Sequence, residues 1–252
     1  MLLPLQPVQS LKKALKTTMS ESQNQFLDEI SEQPKVVAQI LKRLAKQSAH
    51  IPEFVHSQTS QLVFIAEGSS LNVLNLVSPW LEANLGKPVR VFTSTECQTY
   101  LDLCQTNANP SLQKQLKKQT TWVFLSQSGN TGGLVSVLKN LHQYLAVNPK
   151  KINTILITNG TDSQLESLCQ NTYHLEAGPE ASIPATKTVS ASIMSLLLLA
   201  SIQSAQKAEF KKVPKFMSSW LASDEVAHQV KQLARQAMGY RQILLISDGL
   251  TS

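Results

Sequence analysis

Hydrophobic residues follow two alternating patterns along the chain, one typical of buried strands and one typical of amphipathic helices. Short, almost continuous apolar runs such as QLVFIA and TWVFLS are typical of parallel strands that are covered on both faces. Between these runs, apolar residues recur every three or four positions, which predicts helices. The alternation predicts strands at 61–66, 88–93, 121–126, 153–158 and 172–176, and helices at 71–85, 134–145 and 185–205. The chain is therefore predicted to form an α/β fold, a doubly wound parallel sheet flanked by helices.

The segments on either side of this alternating region are also predicted to be ordered. Apolar residues at helical spacing predict a helix over 20–47, which Pro34 should kink or divide. A similar pattern predicts a helix over 215–238 that ends at Gly239, and the run QILLIS at 242–247 predicts a further buried strand. The expected units are an N-terminal helical arm (1–48), the sheet domain (49–210), and a helix with the first strand of an incomplete second unit (211–252).

Composition and charge narrow the class of protein. The chain has 252 residues, of which 42% are hydrophobic, so it can bury a large core and is not predicted to be disordered. Its net charge of +6 permits an anionic partner such as a phosphate ester. The basic residues are scattered without interleaved aromatic residues, which argues against nucleic-acid binding. The most apolar run, 193–202, is much shorter than the roughly 20 residues that span a bilayer, so we expect a cytoplasmic protein without a membrane partner.

Several common catalytic and metal-binding patterns are absent. The three cysteines, Cys97, Cys104 and Cys169, are widely spaced and form no CxxC pair. The chain also lacks the HExxH and GxSxG motifs and the GxxxxGK[ST] and GxGxxG nucleotide loops. We therefore expect no metal and no cofactor.

The strongest local signal is SQSGNT, which lies where a predicted strand meets a predicted helix. Ser126, Ser128 and Thr131 offer hydroxyl groups, Gln127 offers an amide, and Gly129 allows a tight turn. The N-terminus of the following helix adds free N–H groups and a positive dipole end. This combination suits a phosphate dianion. A plain polar turn that caps the helix is an equally good interpretation of these residues alone.

Two other loops are expected at the same edge of the sheet, because ligands of parallel sheets bind beyond the carboxyl ends of the strands. Ser69 and Ser70 follow the first strand. The segment EAGPEASIPATK precedes the helix at 185–205, and Ser182 is expected to cap that helix. Glu180 and Lys187 are the charged residues of its second half. A structural role, with Glu180 solvated or capping, is the favoured interpretation of that segment by itself.

Together, the GSS loop, SQSGNT and AGPEASIPATK resemble the SIS family of phosphosugar-binding domains, in the order and spacing of that family. The nearest likeness is to the isomerase half of glucosamine-6-phosphate synthase and to related sugar-phosphate isomerases and deaminases with two SIS domains. The resemblance implies a flavodoxin-like fold, a homodimer, and a phosphorylated sugar as ligand, either a hexose 6-phosphate or an amino sugar 6-phosphate. It implies phosphate contacts at Ser70, Ser126, Gln127, Ser128, Gly129 and Thr131, and sugar contacts at Ser69, Ile183, Ala185 and Lys187.

Departures from the family leave the catalytic role open. Ile183-Pro184-Ala185 stands where synthases usually have Val-Ala-Ser, so a hydroxyl and a backbone donor are lost. The family's proton-transferring glutamate belongs to a second SIS domain, which this chain is expected to lack.

Three hypotheses follow. The chain is a truncated relative of an isomerase, isomerizing aminotransferase or deaminase; a module that senses phosphosugars; or a one-domain isomerase whose site is shared across a dimer. In the third, Glu180 is the candidate catalytic base.

Overall fold

A sheet of five parallel strands forms the centre of the fold in the computed structural model, which describes residues 21–46, 59–106, 120–144, 153–200 and 207–242. The strands are β1 (Gln61–Ala66), β2 (Val89–Phe92), β3 (Thr120–Ser126), β4 (Thr154–Thr158) and β5 (Asn171–His174), in the spatial order β2-β1-β3-β4-β5. Every neighbouring pair in this order is parallel. The five strands predicted between residues 61 and 176 are confirmed, with bounds that shift slightly at some ends.

The helices of the described residues are α1 (Glu21–Lys46), α2 (Gly68–Leu85), α3 (Ser94–Thr106), α4 (Gly132–Tyr144), α5 (Gln164–Leu168), α6 (Lys187–Ala200), α7 (Lys207–Phe210), α8 (Val213–Leu221) and α9 (Asp224–Ala237). Helices α2 and α4 lie where the hydrophobic pattern predicts them. Gly86 ends α2 in the left-handed conformation, as its position after the last apolar residue predicts. Across these described ranges, no helix has both the length and the apolar character needed to cross a membrane.

The sheet is covered by helices on both faces. Successive strand residues point to opposite faces. In β1, Leu62 and Phe64 pack in a buried cluster with residues of α1, α2 and α6, whereas Val63 and Ile65 pack in a second cluster with residues of α3 and α4. Double-sided burial explains why the central strands are continuous apolar runs, and it confirms the doubly wound architecture.

Helix α1 packs onto the first of these clusters and continues through Pro34. Val36, Val37 and Ile40 are buried against the sheet domain. Proline has no N–H to donate to the carbonyl of Ile30, one turn earlier. The Gln33 side-chain amide donates to that carbonyl instead, at 3.2 Å. The predicted helix is therefore confirmed as one element rather than two.

Two predictions about the ends of helices need correction. The single helix predicted over 215–238 is two helices, α8 and α9, and the Ser223 hydroxyl caps α9 by accepting from the Val226 N–H at 3.4 Å. Helix α6 begins at Lys187, and Ser182 does not cap it. The backbone N–H of Ser182 donates instead to Glu29 of α1, at 3.3 Å. The strand predicted at 242–247 lies outside the described residues, except for its first position.

Candidate functional site

A cleft of about 250 Å³ opens at the carboxyl end of the sheet, above the neighbouring strands β1 and β3. The chain leaves β1 towards β2 on one side and leaves β3 towards β4 on the other. The loops after β1 and β3 therefore diverge and leave a crevice, which is the usual ligand position in such sheets. Three predicted loops line it, through Ser69, Ser70, Ser126, Gln127, Ser128, Thr131, Glu180, Ser182, Ile183 and Ala185.

The loop after β3 folds back on itself through hydroxyl groups. The Ser126 and Thr131 hydroxyls lie 2.9 Å apart, and the Ser126 hydroxyl accepts the N–H of Gly129 at 3.1 Å. Ser126 is buried at the end of β3, whereas Gln127 and Ser128 are exposed. Ser126 thus shapes the loop, and the next two side chains are available to a ligand.

The backbone of this loop is also anchored to the connection after β4. The Gln127 carbonyl accepts N–H groups from Asn159 and Gly160 at 3.1 and 3.0 Å. Gly129 has a φ of 66°, and a Cβ added there would lie 2.2 Å from the Ser163 hydroxyl oxygen. Only glycine therefore fits at Gly129, where it permits the turn and the close approach. It is not among the residues that line the cleft.

The groups of the cleft that could bind an anion are neutral donors. Helix α4 begins directly after Thr131, so its free N–H groups and positive dipole end lie beside the hydroxyl-rich loop. The first turn of α2, which contains Ser69 and Ser70, starts at the same edge. Among the described residues that line the cleft, none is a lysine, arginine or histidine. Binding of a phosphate here would depend on dipoles and hydroxyl groups.

Glu67 lines the cleft and was not predicted from the sequence. It immediately precedes α2, but its carboxylate does not cap that helix. Its Oε1 accepts the backbone N–H of Ser94 at 2.8 Å and also the Ser94 hydroxyl. The signal that could have found it is an acidic residue directly after a buried parallel strand.

Glu180 lines the cleft and caps α6. Its carboxylate accepts the N–H and the hydroxyl of Thr186 at 2.8 and 2.9 Å, and the N–H and the hydroxyl of Thr188. The first turn of α6 thereby obtains the acceptor that Ser182 was expected to supply. Ile183, by contrast, is fully exposed at the rim.

Lys187, a predicted sugar contact, is not among the cleft-lining residues. Its side chain is buried, and its Nζ lies 2.5 Å from a carboxylate oxygen of Glu32 in α1. The first turn of α6 is therefore rotated so that this lysine points to α1. The rotation of a helix depends on its packing partner, which the sequence pattern of the helix does not give.

Helix α1 also holds the α6 loop, which we define as residues 175–186. The Glu29 carboxylate accepts the N–H groups of Ala181 and Ser182 at 2.8 and 3.3 Å. Burial opposes ionisation of Glu29. The side chain of Ser182, these two N–H groups and the positive charge of Lys187 outweigh burial, and they lower the pKa of Glu29. One wall of the cleft is thus fixed by ionic side chains of a distant helix.

Other candidate groups lie outside the cleft and have structural partners. The ring nitrogens of His174 lie 3.1 Å from the Gly160 carbonyl and 3.0 Å from a Glu166 carboxylate oxygen, so both nitrogens have a partner. Burial raises the pKa of the Cys97 and Cys169 thiols to about 12. These thiols therefore stay protonated, which disfavours them as nucleophiles.

Comparison with known proteins identifies the family. The SIS domain model matches residues 57–202, which is more than half of the chain. The chain therefore belongs to the SIS domain family, as its motifs predicted.

The curated relatives include isomerizing glutamine–fructose-6-phosphate aminotransferases. The enzyme of Shouchella clausii is 30% identical over 184 residues, which cover 69% of this chain and 27% of that protein. The enzyme of Aquifex aeolicus is 26% identical over 225 residues, which cover 88% of this chain and 34% of that protein. The chain thus spans only about a quarter to a third of the length of these relatives.

Solved structures share the fold. The C-terminal domain of glucosamine-fructose-6-phosphate aminotransferase from Francisella tularensis superposes with a TM-score of 0.58 and 21% identity, over 86% of this chain and 58% of that one. Glucosamine-6-phosphate deaminase from Thermotoga maritima gives a TM-score of 0.57 and 20% identity, over 78% and 54% of the two chains. At such identities, the likeness shows the fold alone.

Proposed function

We propose that the cleft binds a phosphorylated sugar and that the loop after β3 holds its phosphate. The observation that carries this proposal is the hydroxyl-rich turn at the start of α4, fixed by the contact between Ser126 and Thr131 at the point where the chain reverses its winding. Neutral donors and a helix N-terminus can bind a phosphate dianion without a basic side chain. The phosphate-binding residues would be Ser70, Ser126, Gln127, Ser128 and Thr131.

The sugar would lie between the loop after β1 and the α6 loop. Ser69 is exposed on one side of the cleft, and Ile183 and Ala185 lie on the other. Ile183 and Ala185 offer only backbone groups and apolar contact, so hydroxyl recognition would fall to the serines. The names of the relatives include fructose 6-phosphate and glucosamine 6-phosphate, which supports a hexose or amino sugar 6-phosphate as the ligand.

Binding, rather than turnover, is the activity that we assign to these residues. Glu180 is the candidate base, but its carboxylate already accepts hydrogen bonds from Thr186 and Thr188. Proton abstraction from a sugar would require Glu180 to release contacts that hold α6. The isomerisation and aminotransfer in the relatives' names belong to proteins that extend well beyond the matched region.

A thermal-shift series tests this function. The parent, Ser128→Ala and the control Ser136→Ala are each melted with glucosamine 6-phosphate, fructose 6-phosphate, glucose 6-phosphate and inorganic phosphate. Ser136 is an exposed serine on α4, outside the cleft. A ligand at ten times its Kd should raise the melting temperature of the parent and the control by roughly 3–6 °C. Ser128→Ala should lose that rise. No shift with any ligand, or equal shifts in all three proteins, would refute the proposal.

A further inference from the structure

The cleft contains a carboxylate oxygen that has no hydrogen-bond partner among the described residues. Oε1 of Glu67 accepts both the N–H and the hydroxyl of Ser94, but Oε2 accepts from no described group. The other cleft carboxylate, Glu180, uses both of its oxygens on Thr186 and Thr188. Glu67 is therefore the carboxylate that remains available to a ligand.

We propose that Glu67 is a specificity-determining residue, which makes the cleft prefer phosphorylated ligands that carry an ammonium group over those with a neutral group in its place. This inference rests on the proposed phosphate site. It adds to that site a recognised chemical class, a molecule with both a phosphate and a primary amine.

Position supports this assignment. Glu67 directly follows β1, the strand beside β3, so its side chain shares one crevice with the loop after β3 (residues 126–131), which we call the phosphate loop. A Cβ added at Gly133, in the first turn of α4, would lie 3.9 Å from Glu67 Oε1. Glu67 thus lies beside the start of the helix that follows the phosphate loop. Glu67 and the loop after β3 line the same cleft, of about 250 Å³, so one ligand can contact both.

The fixed orientation of Glu67 makes the contact selective. Ser94 holds Oε1 from two donors, so little side-chain freedom remains to be lost when a ligand binds Oε2. A carboxylate accepts hydrogen bonds and cannot donate them. A ligand that places an acceptor beside Oε2 is therefore disfavoured, whereas an ammonium can donate from any of its three hydrogens.

Charge gives the same preference. Glu67 and Glu180 are both acidic, and no lysine, arginine or histidine is among the described residues of the cleft lining. A phosphate dianion adds further negative charge at this place. An ammonium on the same ligand offsets that charge and forms a charge-assisted hydrogen bond with the carboxylate, which a neutral hydroxyl cannot match.

Calorimetric titration of the full chain tests the inference with three ligands that differ in one substituent: glucosamine 6-phosphate, glucose 6-phosphate and N-acetylglucosamine 6-phosphate. The parent should bind the first at least about tenfold more tightly than the other two, as expected for a hydrogen bond between charged groups. In Glu67→Gln, the ratio should fall to within about twofold, since the amide can keep Ser94 but presents NH₂ to the ligand. Glu82→Gln, the same change at an exposed position of α2, should keep the parent ratio.

The outcomes separate this inference from the proposed function. If glucose 6-phosphate binds and Ser128→Ala abolishes its binding, the phosphate site stands. The inference is then overturned if the parent shows no preference for the amine, or if Glu67→Gln keeps it. Absence of binding by all three ligands and by inorganic phosphate overturns both. Glu67→Ala must also lose the preference, which keeps the test decisive should the glutamine variant unfold.

Discussion

Replacing Gly129 by alanine should destabilise the protein in a way that can be divided into two physical parts. Gly129 has a φ of 66°, in the region that disfavours side chains. Its missing Cβ would also lie 2.2 Å from the Ser163 Oγ and 2.6 Å from the Ser163 Cβ, closer than real Cβ contacts. The variant therefore combines a backbone penalty with a steric clash.

Gly86 is a matched control for the backbone part. Its φ is 63°, and a Cβ added there would meet nothing within 4 Å. Gly86→Ala should therefore lose roughly 1–2 kcal/mol from the left-handed conformation alone. Gly129→Ala should lose about 1–3 kcal/mol more from overpacking. Both variants gain the same stabilisation from a less flexible unfolded chain, so their difference isolates the clash.

Thermal and urea denaturation measure that difference. For a chain of this size, the additional loss corresponds to a melting temperature roughly 2–12 °C below that of Gly86→Ala. Adding Ser163→Gly to Gly129→Ala removes the clashing atoms, so the double variant should be more stable than the sum of the single changes predicts. Equal losses in the two alanine variants, or strict additivity with Ser163→Gly, would refute the close approach between the phosphate loop and the start of α5.

Three further changes test how the α6 loop is held. Glu32→Gln should lower the free energy of unfolding by about 1–3 kcal/mol, and by more than Lys187→Met does. Only Glu32→Gln leaves the buried Lys187 ammonium without a carboxylate beside it. Urea denaturation compares the two variants. Glu29→Gln should destabilise the protein at neutral pH, but its deficit should shrink as the pH falls below about 4.5. The pKa of Glu29 is lowered by folding, so its contribution is lost on protonation; unfolding across a pH series measures this. Glu180→Ala should lose about 0.5–2 kcal/mol by uncapping α6, measured by thermal unfolding.

Each of these expectations has an opposite outcome. A larger loss in Lys187→Met than in Glu32→Gln would contradict the expectation, because methionine keeps most of the apolar stem and the loss would then come from removing the ammonium itself. A deficit of Glu29→Gln that stays constant through the acid range would contradict the lowered pKa. A Glu180→Ala variant that melts like the parent would show that the threonine contacts do not stabilise α6. Glu82→Ala, at an exposed site of α2, serves as the control for loss of a surface carboxylate.

The sheet could be predicted from the sequence because its central strands are buried on both faces and are therefore nearly continuous in apolar residues. Helix α3 could not, since two of its buried positions are Cys97 and Cys104, which are weak markers of a hydrophobic face. The break between α8 and α9 was missed because apolar spacing continues across it. Ser223 can be identified as the N-cap of α9 only from the structure, in which α8 ends before it.

The hydroxyl-rich turn after β3 could be predicted because all of its groups are adjacent in the sequence. The direction of Lys187 could not be predicted, since it depends on Glu32, which is far away in the chain and belongs to another helix. Glu67 was missed for a similar reason. Its carboxylate is positioned by Ser94, and the side-by-side arrangement of β1 and β3 places it in the same cleft as the loop after β3. Contacts between distant segments set the cleft's outer walls.

The dependence of the α6 loop on α1 sets a practical limit on how the domain can be cut. The family match begins at residue 57, whereas Glu29 and Glu32 lie upstream of it. A fragment trimmed to the family boundaries would expose the apolar surface that Val36, Val37 and Ile40 cover. It would also leave the Lys187 ammonium without Glu32, and the N–H groups of Ala181 and Ser182 without Glu29. Such a fragment should keep the loop after β3 but lose the opposite wall, so the smallest unit that keeps both walls of the cleft begins at α1.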